Sequence, residues 1–285
     1  MRNEEMMFSL ILEVAKKLDG LKAVALNGSR ANQNVPKDAF QDYDIVYFIK
    51  DQKMEKLINH QEWLKAFGEL LIRQTPATGQ LLPCDMNGKF TFLMLFADGN
   101  RIDLCLCPLS KINDWVKEDS IGKILYDPHQ LLPTDLLTDD QIYWCKEPTE
   151  THFQECCNEF WWVSTYVVKG ICRKEFLYAS DHFYQVCYQE LLRLISWQIA
   201  EEQHYQVNFG KNYKYLFNYL TQEQQQTLSD LLDFTSLEKL AKNLMQMQQL
   251  FHQQAQHYSQ EKNFAYQLLE GQNVLNYTKA LLTNH

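Results

Sequence analysis

Two carboxylates stand one residue apart in the segment QDYDIVYFIK, where Asp42 and Asp44 precede an apolar run. If residues 43–49 form a strand, both side chains project from the same face at its start. Carboxylates this close repel each other and raise each other's proton affinity unless a cation lies between them. A divalent metal explains the pair. Mg²⁺ in particular binds one or two carboxylates and takes its other ligands from substrate phosphates.

A Gly-Ser pair upstream offers a place for such phosphates. Gly28 lets the backbone approach a phosphate closely, and the hydroxyl of Ser29 adds a hydrogen-bond donor. The pair does not belong to a Walker loop, which ends in Gly-Lys-Ser/Thr. The sequence therefore predicts a turn that holds a polyphosphate beside the metal.

The segment RIDLCL supplies a third acid. Asp103 is a lone carboxylate in an apolar strand, and its burial is costly without a partner such as a metal ion. Strand alternation places Asp103 on the same face as Arg101, while the leucines and the isoleucine face the core. We expect Asp103 to complete a two-metal site or to accept the proton of an incoming hydroxyl.

Strands and helices alternate in the first half of the chain. Residues 4–19 have helical periodicity, LKAVALNGS and YDIVYFIK are typical of strands, and residues 52–68 predict a second helix. The segment KFTFLMLFADGNRIDLCLCPL predicts a hairpin that turns at Asp-Gly-Asn. These elements predict a mixed β-sheet flanked by helices, with the three acids near strand ends.

The second half of the chain differs in composition and in the spacing of its apolar residues. After Pro148 there is no proline, glutamine is abundant, and apolar residues recur at helical spacing. Residues 153–171, 181–203 and 236–260 are long helix candidates, and we expect Gly170, at the end of the first, and Gly210 to fall between candidate helices. We predict an N-terminal α+β domain at residues 1–147 and an all-α helical bundle at residues 148–285.

The acidic motifs carry a family resemblance. Gly-Ser, a loop, Asp-x-Asp and a third Asp on a later strand resemble the signature of the nucleotidyltransferase (polymerase β-like) superfamily. More closely, LNGSRANQNVPKDAFQDYDIVYF is similar to the aminoglycoside 6-adenylyltransferase family of streptomycin-modifying enzymes. That family also joins an N-terminal nucleotidyltransferase domain to a C-terminal helical domain, so the resemblance spans the whole chain and agrees with the predicted fold class.

The resemblance implies an antibiotic-resistance enzyme that transfers AMP from Mg-ATP to the 6-hydroxyl of streptomycin and releases pyrophosphate. Asp42 and Asp44 would bind the metal, and Asp103 would share a second metal or accept the hydroxyl proton. The active site would lie in a cleft between the domains. The candidate contacts to ATP are Gly28, Ser29, Arg30, Lys211 and Lys214. Lysines between helices are more often solvated, and Asp-x-Asp alone can be a cap where a loop enters a strand.

Three residues of the helical half are candidates for aminoglycoside binding. Glu159 and Trp162 lie three residues apart on one helix face, where an acid could pair with a guanidinium and an indole could pack on a sugar ring. The alternative is an aromatic core stripe. Asp181 is carried over from the resemblance as a substrate contact or an alternative base, and its alternative is a favourable charge at a helix N-terminus.

Composition limits the other classes of function. The formal net charge of −9 disfavours a nucleic-acid partner, because duplex binding needs a basic face. The apolar segments are too short to cross a bilayer, and the irregular spacing of the eight cysteines indicates a reduced, cytoplasmic protein. We expect a monomer or a weak homodimer. The remaining alternatives are a nucleotidyltransferase for another acceptor, such as a lincosamide or a protein, and a non-catalytic, antitoxin-like binding module.

Overall fold

The chain folds into two compact units, Met1–Ile142 and Tyr143–His285. The computed structural model describes residues 2–81, 86–118, 121–136 and 139–283. The sequence prediction placed the boundary between residues 147 and 148, in the polar connector that precedes the first long helix of the second unit.

A six-stranded mixed sheet forms the centre of the first unit, in the order β3-β4-β5-β2-β1-β6. Strands β2 and β5 run parallel to each other, and the other neighbours are antiparallel. The strands predicted around the Gly-Ser pair and after Asp42 are confirmed, and so is the hairpin, which is β4-β5. The strands are β1 (Leu21–Asn27), β2 (Tyr43–Ile49), β3 (Leu70–Gln74), β4 (Phe90–Phe96), β5 (Arg101–Pro108) and β6 (Gly122–Tyr126).

The helix predicted at residues 52–68 is wrong in its length. It ends at Asn59, and a separate 3₁₀ segment spans Glu62–Phe67. The side-chain amide of Gln61 donates to the carbonyl of Ile58 (2.7 Å), and the indole of Trp63 donates to that of Leu57 (3.1 Å). These donors satisfy carbonyls that an α-helix would otherwise leave without partners at its end. The helices of this unit are α1 (Glu4–Lys17), α2 (Gly28–Ala31), α3 (Asp51–Asn59) and α4 (Ile112–Glu118).

The two faces of the sheet are covered unequally. One face packs on α1, α3 and the 3₁₀ segment in a large core that contains Tyr47, Phe92 and Leu104. The opposite face carries a smaller cluster around Phe48 and Trp115. Alternation along β2 and β5 places Asp44 and Asp103 on this second face. The acids therefore project from the side of the sheet that has less apolar cover.

The second unit has an all-α core, and no strand is assigned to its described residues. Phe160 and Phe251 stack at its centre with ring centroids 3.7 Å apart. Gly170 lies inside the first helix and not beyond it. A glycine is required there because the next helix passes so closely that a Cβ would lie 2.9 Å from the Cβ of Ala179. The helices are α5 (Glu150–Cys172), α6 (Phe176–His182), α7 (Gln189–Glu202), α8 (Gln222–Asp230), α9 (Leu237–Lys262) and α10 (Leu268–Leu282).

A π-helical segment, Phe183–Tyr188, joins α6 to α7. The helix predicted at residues 181–203 is therefore present as one continuous but irregular run. Together the mixed sheet and the helical second unit confirm the predicted α+β class.

The cysteines have structural positions in the described part of the chain. All seven that it contains are free, and Cys84 lies outside it. Burial raises the pKa of the Cys107 thiol to about 12 and also raises that of Cys105. Protonated thiols are poor metal ligands. None of the described helices is both long and apolar enough to cross a membrane.

Candidate active site

Three strand ends meet at one edge of the sheet. Strand β1 ends at Asn27, directly before the Gly-Ser pair, and β2 and β5 begin at Tyr43 and Arg101. Because β1 is antiparallel to β2 and β2 is parallel to β5, these ends lie at the same edge. The register pairs Asp44 with Asp103 directly. The fold thus brings together the Gly-Ser turn and the acids that the sequence separates.

Gly28 and Asp44 fit against each other so closely that no side chain can replace the glycine hydrogen. Gly28 has φ +66°, and a Cβ on it would lie 2.7 Å from Cγ of Asp44, well inside contact distance. Both the backbone conformation and the close approach require glycine. The carboxylate of Asp44 consequently lies over the backbone of the turn, where a phosphate held by that turn would also lie beside it.

Arg101 places a positive charge among these acids. Its guanidinium donates to both oxygens of Asp103 at 3.0 Å and lies 3.5 Å from Oδ2 of Asp42. The hydrogen bonds to Asp103 raise the pKa of Arg101, and the charges of Asp103, Asp42 and Asp44 raise it further. The three carboxylates that the sequence predicts as one site therefore act on one positive group.

The donor set fits a hard divalent cation that is completed by substrate oxygens. Asp42 and Asp103 already share a cationic partner in Arg101, and Asp44 is the register partner of Asp103. In the described residues no group of three or more His, Cys, Asp or Glu side chains is placed so that it could hold a metal ion by itself. One or two carboxylates with phosphate oxygens are the usual protein share of a Mg²⁺ site. That Asp42, Asp44 and Asp103 all bind metal stays a prediction.

Arg30 fastens the Gly-Ser turn to the loop that carries Asp42. Its guanidinium donates to the backbone carbonyls of Gln41 (2.8 Å) and Asp42 (3.1 Å) and lies 4.0 Å above the ring of Tyr43. The sequence predicts Arg30 as a phosphate contact. In the structure only 9% of its side chain is exposed, and its donors are directed to the loop and to the carboxylate of Glu4 (3.3 Å), so its observed contacts are those of a positioning residue.

The two predicted lysine contacts lie in the second unit. Lys211 begins a short 3₁₀ segment, Lys211–Tyr213, directly after Gly210. The ammonium of Lys214 lies 4.8 Å from the ring centre of Tyr215. Both lysines are exposed. Their contact with phosphate stays a prediction.

The residues predicted to bind the acceptor also lie in the second unit. The two adjacent tryptophans there differ in their burial. Trp161 is buried in the core, whereas Trp162 is 60% exposed on the same face of α5 as the exposed Glu159. The indole of Trp162 donates to the hydroxyl of Tyr166 (2.7 Å), and the ring of Tyr166 meets His182 on α6 at a centroid distance of 5.6 Å. The core-stripe alternative is therefore wrong for Trp162.

Asp181 lies near the end of α6, directly before His182, and is exposed. The alternative reading, in which its charge favours a helix N-terminus, is wrong because α6 begins at Phe176. Tyr178 and His182 are also in ring contact on this helix, at 4.3 Å. The aromatic surface that they form with Tyr166 and Trp162 is not recognisable from the α5 sequence alone, since half of it comes from α6.

Sequence comparison identifies relatives over nearly the whole chain. The profile of the streptomycin adenylyltransferase family matches residues 1–281. The chain belongs to this family. As a member of an adenylyltransferase family, the protein is an enzyme.

Individual relatives agree with the family assignment. An aminoglycoside 6-adenylyltransferase of Staphylococcus aureus is 42% identical over 79% of each chain. Enzymes of the same name from Bacillus subtilis and Campylobacter jejuni are 36% and 37% identical, and the matches cover 93% or more of each chain. A crystal structure of an aminoglycoside 6-adenyltransferase from Bacillus subtilis matches over 99% of both chains, with 32% identity and a TM-score of 0.49.

The fit between Gly28 and Asp44 makes a first prediction. In Gly28→Ala the new methyl group displaces the Asp44 carboxylate, and a misplacement of roughly 1 Å costs on the order of a hundredfold in turnover. We expect adenylyl transfer to fall by about that factor, measured as the initial rate of pyrophosphate release, while circular dichroism shows a folded protein.

Gly88→Ala is the matched control. Gly88 also has positive φ (+79°), but a Cβ there meets only the flexible end of Lys111 at 3.6 Å. It carries the same backbone strain without contact with an acid. Equal losses of activity in the two variants would show that strain alone, and not the position of Asp44, causes the effect.

Proposed function

We propose that this protein transfers AMP from ATP to a hydroxyl group of an aminoglycoside, with the 6-hydroxyl of streptomycin as the acceptor. The supporting observation is the strand edge where Asp44 lies against the Gly28 backbone and beside Asp103, within a chain that matches the streptomycin adenylyltransferase family over residues 1–281. Transfer of AMP to the drug would abolish its recognition and so confer antibiotic resistance.

The residues of the first unit divide the work between binding and orientation. The acceptor hydroxyl oxygen attacks the α-phosphorus of ATP, the bond to the bridging oxygen breaks, and pyrophosphate leaves. The Gly28 backbone and the Ser29 hydroxyl hold the phosphates, and Arg30 keeps the turn and the Asp42 loop in register. Asp103 completes the cation site or receives the hydroxyl proton. Most of the acceleration then comes from positioning and from neutralised charge on the phosphates.

Mg²⁺ is the metal that we propose for Asp42, Asp44 and Asp103, and when bound it neutralises phosphate charge. Arg101 occupies the corresponding electrostatic position in this structure, since it pairs with Asp103 and Asp42. For both carboxylates to reach a metal, the guanidinium has to turn away from them. Its exposed side chain has room to do so, because 45% of its surface is accessible.

For the acceptor we propose contacts in the second unit. The face of Trp162 can pack on a sugar or on a guanidinium, and Glu159 and Asp181 supply charges of the sign that a cationic drug requires. Lys211 and Lys214 are proposed as further phosphate contacts. We propose that the enzyme acts in the cytoplasm, which the free cysteines of the described residues support. We also propose that it is a monomer or a weak homodimer.

Product analysis tests the proposed reaction directly. With ATP, Mg²⁺ and streptomycin we expect pyrophosphate release and a drug that is heavier by one AMP in mass spectrometry. Removal of one charge in Asp44→Asn lowers the rate by about a hundredfold or more, because one preorganised electrostatic group is lost. A panel of other aminoglycosides and a lincosamide defines the acceptor, and the absence of AMP transfer to any aminoglycoside would refute the proposal.

Calorimetry combined with the turnover assay separates the enzyme from a non-catalytic binding module. Calorimetry with Mg-ATP on Asp42→Asn gives the contribution of this carboxylate to nucleotide binding. An enzyme that uses Asp42 as a metal ligand binds Mg-ATP more weakly after the change. Unchanged affinity, together with no turnover by the wild type, would favour the binding module.

The position of Arg101 leads to a prediction about metal affinity. Without nucleotide, Arg101→Gln should bind Mn²⁺, a spectroscopic substitute for Mg²⁺, roughly tenfold more tightly, because no guanidinium then competes for Asp103 and Asp42. That factor corresponds to about 1.4 kcal/mol. Electron paramagnetic resonance measures the free Mn²⁺. Arg193→Gln removes the same charge from an Arg-Glu pair on α7 and serves as the control. Weaker binding in Arg101→Gln would contradict the prediction.

Trp162 should act on acceptor binding rather than on chemistry. We expect Trp162→Ala to raise the KM for the aminoglycoside by roughly tenfold at nearly constant kcat, since stacking on a cation contributes about 1–2 kcal/mol. Steady-state kinetics at saturating ATP provide the measurement. Tyr277→Ala, which removes an aromatic ring that is 39% exposed on α10, should leave KM unchanged. If both variants behave like the wild type, Trp162 is not an acceptor contact.

A further inference from the structure

Arg2, just before α1, binds the turn between β4 and β5. Its backbone N–H and its Nε donate to Oδ2 of Asp98 at 3.1 and 2.6 Å, and a third nitrogen lies 3.3 Å from Oδ1. The guanidinium also donates to the carbonyl of Phe67 at 2.6 Å. Only 23% of the Arg2 side chain and 26% of that of Asp98 is exposed. The hydrogen bonds from Arg2 hold the pKa of Asp98 well below its usual range, so the pair is ionised at neutral pH.

The turn that Arg2 binds leads directly into Arg101. Asn100 is only 5% exposed, and its side-chain amide donates to the carbonyl of Arg2 at 3.3 Å and to Oδ2 of Asp98 at 2.7 Å. The backbone N–H of Asn100 donates to the other oxygen of Asp98 at 3.1 Å. Arg101 is the next residue and the first of β5. The start of β5 is therefore attached to Arg2 through two buried or half-buried side chains.

The pairing of β2 with β5 brings Arg101 near Asp42 but includes neither residue. The paired register begins at Tyr43 and Ile102, one residue after each of them. The strand partner of Arg101 is Leu95, which lies on β4 in the hairpin whose turn Arg2 binds. The distance of 3.5 Å between the guanidinium of Arg101 and Oδ2 of Asp42 thus depends also on contacts outside the β2-β5 pairing.

Helix α1 contacts the start of β2 as well. The carboxylate of Glu4 lies 3.3 Å from the guanidinium of Arg30, which binds the carbonyl of Asp42. The ring of Phe8 packs edge-on against that of Tyr43, with centroids 5.5 Å apart. Tyr43 directly follows Asp42 in the chain. The first two turns of α1, together with Arg2, consequently connect the two chain segments that the site has to keep in place.

We propose that Arg2 is a positioning residue that holds Arg101 against the carboxylates of the proposed metal site. It does so by fixing the turn before β5 to α1, whose other contacts fix the start of β2. The proposal rests on the metal site of the proposed function. Without the attachment to Arg2, the guanidinium of Arg101 is held less firmly, and a metal ion displaces it from the acids more easily.

Binding of Mn²⁺ without nucleotide, measured by electron paramagnetic resonance, tests the proposal in a double-mutant cycle of Arg2→Gln and Arg101→Gln. Asp98→Asn breaks the same ion pair from its other side. The two single changes alter the net charge in opposite directions, so a long-range charge effect would shift their affinities oppositely. Lys53→Gln is the matched control, because it removes a cation from an ion pair of the same 2.6 Å distance, with Asp19, in the same unit. Circular dichroism verifies that each variant is folded.

We expect Arg2→Gln and Asp98→Asn to bind Mn²⁺ roughly threefold more tightly than the wild type, a factor typical of coupled neighbours. Lys53→Gln should bind it as the wild type does. In the Arg101→Gln protein, Arg2→Gln should have no further effect, because the group that it positions is gone. An equal effect in both backgrounds would show a general structural role and overturn the proposal. Unchanged affinity in Arg2→Gln, or no Mn²⁺ binding by any variant, would overturn it as well.

A separate assay of AMP transfer by the wild type distinguishes this proposal from the proposed function. A protein that shows the expected Mn²⁺ cycle but transfers no AMP to any aminoglycoside would refute the function and support the role of Arg2. A protein that transfers AMP but shows no coupling between Arg2 and Arg101 would do the reverse.

Discussion

Mutual repulsion between carboxylates is the constraint on which the proposed catalytic edge of this protein depends. Strand pairing holds Asp44 opposite Asp103, and Asp42, directly before β2, lies 3.5 Å from the guanidinium of Arg101. Such an arrangement is stable only with a positive group in its midst. In this structure that group is Arg101, whose guanidinium contacts two of the acids. The three acids therefore favour a nearby cation, and we propose that Mg²⁺ takes this role in the substrate complex.

The sheet supports this arrangement through its unequal faces. The face with the large core anchors β2 and β5 by residues such as Tyr47 and Leu104, which are fully buried. The opposite face can then carry polar side chains without a loss of stability, because the strands are already fixed from behind. Arg30 adds a second restraint by tying the turn after β1 to the start of β2. Rigid strands thus carry Asp44 and Asp103, and short loops carry Asp42 and the residues that we propose as phosphate contacts.

The parts of the fold that the sequence predicts correctly are those with strong local patterns. Strands β1 and β2 and the β4-β5 hairpin have apolar runs and turn residues that identify them. Edge strand β3 has mostly exposed residues and no regular alternation, so its sequence carries little signal. The break after Asn59 depends on side-chain contacts of Gln61 and Trp63, which periodicity does not report.

At the candidate site, too, the sequence predicts what depends on local patterns and misses what depends on contacts between distant residues. The motif places Asp44 and Asp103 on strands and Asp42 directly before one, and alternation places Arg101 on the face of Asp103. That Arg101 also reaches Asp42 depends on the pairing of β2 with β5, two strands far apart in the chain.

The π-helical segment at Phe183–Tyr188 determines which mutations this part of the protein can accept. Loss of a single codon there would restore regular winding and turn α6 by roughly 100° about its axis. His182 would then leave the ring of Tyr166, so we expect this stretch to tolerate exchanges of residues better than a change in length.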